Sequence, residues 1–401
     1  MVGLLDTGRR LLACCWALTA VVPIVTADAA PARPETVLYS FLNNGADGNA
    51  PDGNVINVHG TLYGTTVSGG ASEVGTVFSI NLSTGAESVL YSLKNNGGDG
   101  KFPYAGLINV DGTLYDTTSR GGSSVSGTVF SINPSTGAET VLYSFQNNGE
   151  DGNFPMAGLT NVHGTLYGTT VFGGTSGGGT VFSINPSTGA EAVLHSFQYN
   201  GADGNGPQAG LTKVNGILYG TTSSGGDLGN GTVFSINPFT GAYSVLYSFG
   251  TAPDGNDPLG NLINVDGTLY GTTFAGGTGF NCRASQSGCG TVFSLDLSTN
   301  KESVIYSFQN NGADGNNPIA GAINVNGTLY GTTEVGGASN VGTVFSINLS
   351  TGAESVLHAF RNNGADGTYP VAGLIDFHST LYGTTSGGGA QNEGTVFKIK
   401  P

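Results

Sequence analysis

The tripeptide Leu-Tyr-Gly begins at residues 62, 166, 218, 269, 329 and 381, with Leu114-Tyr115-Asp116 as a variant copy. The steps between copies are 52, 52, 52, 51, 60 and 52 residues, which makes seven units in 401 residues. A repeat of this length restricts the chain to architectures in which one supersecondary unit packs against copies of itself. The unit from Ala320 to Pro370 resolves into four short apolar segments separated by strong breakers. They are Gly321 to Val325, Thr328 to Thr333, Thr343 to Ile347 and Ser355 to Phe360. Asn326-Gly327 between the first two accepts the positive φ values of a tight hairpin. A Gly-rich loop from Glu334 to Gly342 separates the second from the third, and Asn348-Leu349-Ser350-Thr351-Gly352 turns into the fourth. β-branched and aromatic residues fill the segments, and nothing after residue 30 has the 3.6-residue period of an amphipathic helix. The chain reads as all-β.

Four antiparallel strands repeated seven times predict a seven-bladed propeller. The two ends sharpen this expectation. Glu35 to Phe41 matches a fourth strand with no first three before it. The last unit supplies Gly373 to Asp376, Thr380 to Thr385 and Thr395 to Ile399, then stops at Pro401 without a fourth. The fragment at residues 35–41 is the piece the last blade lacks, so a ring closed by it pairs both exposed edges. An open solenoid gains nothing from such a split.

Ahead of the repeats, Arg9 and Arg10 precede an apolar run from Leu11 to Ala27, and Val25-Thr26-Ala27 puts small residues at a cleavage position. The run is short for a membrane span and has no basic stop-transfer flank, so residues 1–27 are expected to be a signal peptide, with residues 28–34 a short leader. Leu12-Ala13-Cys14 resembles a lipoprotein box but has no hydrophobic segment before it. The expected product is secreted or periplasmic. The terminal Lys398-Ile399-Lys400-Pro401 does not read as an anchor-like tail, so release rather than cell attachment is expected. Cys14 and Cys15 leave with the signal, so Cys282 and Cys289 are expected to form a disulfide in an oxidising compartment. The whole chain has 12 Lys and Arg against 27 Asp and Glu, a formal charge of -15. Such a surface is a poor partner for nucleic acid or an anionic membrane. A monomer is expected.

Gly106-Leu107-Ile108-Asn109-Val110, Leu166-Tyr167-Gly168-Thr169-Thr170, Gly127-Thr128-Val129-Phe130-Ser131-Ile132 and Gly201-Ala202-Asp203-Gly204 carry a resemblance to a known family. The chain, from about residue 35 to 400, resembles the bacterial extracellular tandem repeats of about 50 residues called GloVer repeats. The resemblance implies an exported or surface-associated bacterial protein with no defined biochemical activity. Some members end in a sorting anchor.

Loops joining the second strand to the third, and loops joining blade to blade, are expected on one face of the ring. The opposite face carries only short turns. The long-loop face repeats an acid followed by glycine: Asp47, Asp99, Asp151, Asp203, Asp254, Asp314 and Asp366. These could wrap calcium, but each loop offers one carboxylate where good calcium loops use several, which favours a structural Asx-type turn. In either reading they are expected to make the face acidic. The repeated Tyr63, Tyr115, Tyr167, Tyr219, Tyr270, Tyr330 and Tyr382 are expected to pack between blades. So are Phe78, Phe130, Phe182, Phe234, Phe293, Phe345 and Phe397. Loop aromatics that break the pattern, Phe172, Tyr199, Phe274 and Phe280, are the candidate recognition residues. The fifth spacing, the 60-residue one, carries an insertion near residues 279–288 that holds Phe280, Arg283 and both cysteines, and Arg283 joins the candidates. His59, His163 and His378 share a hairpin turn, while His195 and His358 replace a tyrosine of the fourth strand, so the five are spread around the ring. No catalytic constellation or cofactor motif emerges. Asp116 replaces a glycine without an evident role. The expected function is an exported binding or structural scaffold that recognises glycan or a surface protein through its long-loop face. The rival reading is a secreted carbohydrate-active hydrolase or lyase with a composite site there.

Overall fold

The computed structural model describes residues 35–401, apart from 43, 147, 281 and 283–287. The expected signal peptide and leader, and Arg283, lie outside the described residues.

Each blade is a four-stranded antiparallel sheet, and in the first six the strands follow chain order from the channel outward. In the first blade these are Ile56–Val58, Thr61–Thr66, Thr76–Asn81 and Glu87–Ser92. The seventh combines Ile375–Asp376, Leu381–Thr385 and Thr395–Ile399 with Thr36–Ser40 from the other end of the chain. The expected closure is present, with Thr36 opposite Lys398 and Ser40 opposite Thr395. Among the described residues there is no helix. The Asn-Gly turn behaves as its chemistry requires, with φ of 51° at Asn326 and 81° at Gly327.

An element absent from the sequence reading appears once in every blade. The Asp-Gly loop does not merely turn: Gly48–Asn49 pairs antiparallel with Ser68–Gly69 of the loop between the second and third strands. Both kinds of long loop therefore lie on one face, tied together seven times.

Blades pack on one another through buried Val, Leu and Ile around a repeated pair of aromatic rings. Phe78 of the third strand meets Phe41, which ends the fourth strand of the previous blade, edge to face at 5.1 Å. The same pair recurs as Phe145–Phe182, Phe197–Phe234, Phe249–Phe293, Phe308–Phe345 and Phe360–Phe397, at 5.0–5.3 Å. At the junction of the first two blades Leu93 stands in place of the first phenylalanine. All these rings are buried, and each contributes about 2–3 kcal/mol by leaving water. The repeated glycine of Leu-Tyr-Gly makes room for them: a Cβ on Gly64 would lie 2.5 Å from Phe78 Cζ. The repeated tyrosines are less enclosed, with Tyr167 and Tyr382 buried and the others half-buried at the junctions.

The closing junction has the same parts as the internal ones. Thr65 Oγ1 donates to the Ala105 carbonyl of the next blade at 2.9 Å, and Thr384 Oγ1 reaches Gly53 O at 3.3 Å across the chain ends. Only at Gly260 does the pattern lapse, leaving Thr221 Oγ1 without a partner.

Candidate functional site

The segment entering each blade determines what the long-loop face presents. In the first, Asn44 Oδ1 accepts the backbone N–H groups of Ala46 and Asp47 at 2.9 and 2.8 Å, an Asx turn. Asp47 then accepts the Tyr39 hydroxyl at 2.7 Å and Leu42 N–H at 2.9 Å on Oδ2, and Gly48 N–H at 2.8 Å on Oδ1. Asp99, Asp151 and Asp314 repeat this set, and Asp203 and Asp366 take His195 and His358 in place of tyrosine, both at 3.1 Å. All but Asp254 of the seven aspartates are buried. Their carboxylates point into the blade junctions, so they do not paint the face with charge as expected from their number.

Behind six of the seven aspartates sits an acid of the next blade's fourth strand: Glu87 beside Asp47, Glu139 beside Asp99, Glu191 beside Asp151, Glu302 beside Asp254, Glu354 beside Asp314 and Glu35 beside Asp366. Burial, with the neighbouring carboxylate adding to it, pushes each glutamate up to about 7. At the fourth junction Tyr243 takes the glutamate's place and donates its hydroxyl to Asp203 Oδ1 at 2.6 Å. Glu35, His358 and Asp366 bring their ligand atoms within 4.8 Å of one another, close enough to hold a metal ion together. It lies at an outer junction, away from the channel.

Past the paired dipeptide the chain takes a left-handed residue in every blade: Ala50, Phe102, Phe154, Gly206, Asp257, Asn317 and Tyr369, with φ between 52° and 64°. Bulky residues rarely adopt this conformation, and it persists where the surroundings over-determine it. Two backbone bonds do so here. Phe154 N–H donates to Ser126 O of the preceding blade at 2.9 Å, and its carbonyl accepts Val171 N–H of its own blade at 3.1 Å.

A proline follows, and the next residue lines the mouth of the central channel. These seven are Asp52, Tyr104, Met156, Gln208, Leu259, Ile319 and Val371, no two alike. Below them the chain converges in a collar of Asn54, Gly106, Gly158, Gly210, Asn261 and Gly321, closed by Gly373 against Asn54 and the Gly321 carbonyl. A Cβ on Gly321 would lie 2.1 Å from Asn261 O, so glycine is required at that approach. Isoleucine or threonine lines the far end, as at Ile56 and Thr160. The cavity measures about 580 Å³. Its one acid is Asp52, whose Oδ1 is buried without a partner and whose carboxyl is pushed up to about 7 by burial.

The candidate recognition residues do not converge. Phe172 is half exposed and faces Phe154 with ring centroids 5.9 Å apart. Tyr199 stands 64% exposed near the junction of the third and fourth blades. Phe274 is half-buried, its N–H on Asp257 O and its carbonyl on Asn317 Nδ2. Phe280 is 71% exposed beside the Cys282–Cys289 disulfide, whose buried Cys289 bonds through its carbonyl to Asn317 N–H. Phe239, 68% exposed, lies in the short turn after the third strand, over His163, and was not singled out from the sequence. The channel ring was also missed. Its signal was available, since the residue after the inter-blade proline is the position that differs in all seven copies.

The sequence matches the Gloeobacter/Verrucomicrobia repeat family over residues 25–163, 146–282 and 278–401. Among curated proteins none matches it. Among solved structures it is similar to an oligogalacturonate lyase in complex with manganese, at TM-score 0.54 and 11% identity, covering 92% of this chain and 96% of that one. An oligogalacturonate lyase from Vibrio parahaemolyticus aligns at TM-score 0.51 and 9% identity over 93% and 98% of the two chains. The extracellular domain of a one component system from B. thetaiotaomicron aligns at TM-score 0.58 and 12% identity, covering 93% of this chain and 42% of that one. At these identities the likeness is one of fold.

Proposed function

The chain belongs to the Gloeobacter/Verrucomicrobia repeat family, and on that premise we propose that it is an exported, non-catalytic scaffold that binds a glycan through its long-loop face. One observation carries the reading. The chain repeats its core positions almost without change, yet the positions that vary from blade to blade are concentrated on one face: the channel-mouth ring, the left-handed residue before the proline, and the paired dipeptide. Repetition is what packing between identical blades demands. Seven different side chains around one cavity are not, and a concave site with few polar groups is the ordinary form of a ligand site. Residues 1–27 are taken as the export signal, and the family and the Cys282–Cys289 disulfide support an extracellular setting. Among the described residues no helix is long and apolar enough to cross a membrane.

The test is a glycan array probed with the exported chain and with a Tyr104→Ala/Met156→Ala variant, with melting temperatures measured alongside. The expected result is a defined set of bound sugars whose signal falls at least tenfold in the variant at an unchanged melting temperature. Unchanged binding would place the site elsewhere. Release of new reducing ends or unsaturated sugars from a bound glycan would replace the scaffold reading with a carbohydrate-active enzyme.

A further inference from the structure

The mature chain, from residue 28, has ten basic residues, and they are not evenly spread. Lys94, Lys101 and Arg120 all belong to the loops that enter and cap the second blade. Lys101 and Arg120 are direct partners across the paired dipeptide, Arg120 opposite Lys101 and Gly121 opposite Gly100. The corresponding pairs elsewhere carry no charge: Asn49 with Ser68, Asn153 with Phe172, Asn205 with Ser224, Asn256 with Ala275, Asn316 with Val335 and Thr368 with Gly387. Like charges placed directly opposite oppose pairing. In a chain this acidic a carboxylate would be the expected relief, yet among the described residues neither cation has an ion pair. Lys101 Nζ donates to Asn95 Oδ1. Arg120 lies exposed with its guanidinium 5.2 Å from the centre of the Phe154 ring. Phe154 is one of the residues held left-handed by the backbone bonds described above, and it faces the half-exposed Phe172 of the third blade. Tyr104, whose hydroxyl senses both Arg120 and Asp52, connects this patch to the channel mouth.

We infer that Lys101, Arg120, Phe154 and Phe172 form a binding site for an anionic oligosaccharide, the two cations taking its carboxylate or sulfate groups and the two rings taking sugar faces. The site rests on the proposed long-loop-face function and assigns its ligand class. A guanidinium spread over a ring is weakly hydrated and free to hold an anion with its fork. The half-exposed Phe172 ring and the accessible part of the half-buried Phe154 ring match the apolar C–H face of a pyranose, whereas an acidic peptide needs the cations only. The buried aspartates leave the approach free of exposed repeated carboxylates, which removes the objection that this face should repel such a ligand.

The test uses four probes against the full exported chain by titration calorimetry at low salt: an oligomannuronate hexamer, a sulfated galactan hexamer, cellohexaose and hexaglutamate. Two variants use only residues this chain itself places at the same positions in other blades. Lys101→Asn/Arg120→Ser rebuilds the Asn–Ser pair of the first and fourth blades, and Phe154→Gly/Phe172→Ser follows Gly206 and Ser68. The expected result is that at least one charged hexamer binds ten or more times tighter than cellohexaose and hexaglutamate. Each double variant should weaken it at least tenfold at an unchanged melting temperature. The two charged sugars separate carboxylate from sulfate recognition. Equal binding of hexaglutamate with no effect of Phe154→Gly/Phe172→Ser overturns the sugar assignment, and no binding of any probe overturns the site. A neutral hexamer lost with Tyr104→Ala/Met156→Ala but indifferent to Lys101→Asn/Arg120→Ser would keep the long-loop-face function and refute this inference alone.

Discussion

Replacing Asp116 by glycine should make the protein more stable, and by an amount that grows with pH. Asp116 stands where the other six copies carry glycine, opposite Phe130 in the sheet. It is fully buried, with Oδ1 accepting Thr117 N–H at 2.7 Å and Oδ2 unpartnered. Burial raises its carboxyl from 3.8 to about 8. The folded state therefore holds a proton that the unfolded chain has released, so wild-type stability falls as pH rises from near 4 to near 8. At pH 5 part of that loss has already occurred, and between pH 5 and pH 9 a further ~4 kcal/mol follows. At roughly 2.1 cal/mol/K per residue over this ring, 1 kcal/mol moves the melting temperature by about 1.3 °C. Asp116→Gly should thus gain about 5 °C on wild type between the two pH values. The junction glutamates titrate in the same direction, but they are common to both proteins and cancel in the difference. So does the fixed cost of the space left beside Phe130, where Leu93 already replaces the phenylalanine of the other junctions. Calorimetric melts at pH 5, 6, 7, 8 and 9 in buffers of matched ionic strength measure it. A difference constant within about 1 °C would show that Asp116 titrates as an ordinary carboxyl and that its burial carries no electrostatic cost.

Phe41→Ala removes a fully buried ring at the closing junction and should cost about 3–5 kcal/mol, the same as Phe197→Ala at an internal one. Thermal melts of the two variants compare them, and a drop for Phe41→Ala under a quarter of that for Phe197→Ala would mean the closing strand contributes little. Because the repeated aspartate oxygens already accept backbone and tyrosine or histidine donors, 5 mM EGTA or added calcium should shift the melting temperature by less than about 1 °C. A rise of several degrees with calcium would restore the cation-loop reading.

Much of the architecture was open to inspection in the sequence because a repeated unit solves the same packing problem seven times. The period, the breakers and the orphan strand at residues 35–41 led to four-stranded blades and to the pairing of Thr36–Ser40 with Thr395–Ile399. The repeated phenylalanines were read as junction core and are so, since a side chain present in every copy has to satisfy every copy's neighbour. The strand limits Thr328–Thr333 and the Asn326-Gly327 turn followed from local chemistry alone. The disulfide followed from the two closely spaced cysteines of the repeat region.

The candidate site was less legible, and for one physical reason. Side chains from different blades become neighbours only when the ring closes, so no stretch of sequence shows that Asp52, Tyr104 and Met156 share a cavity. Nor does it show that Lys101 faces Arg120, or that Phe154 sits under that guanidinium. The aspartates gave the opposite lesson. Counted along the chain they suggest an acidic face, but the fold turns their carboxylates onto backbone N–H groups and tyrosine hydroxyls inside the junctions. Sequence by itself determined what must repeat, because identical blades need identical contacts. Tertiary structure decided where the non-repeating residues meet, because only ring closure brings positions some 52 residues apart to one channel mouth.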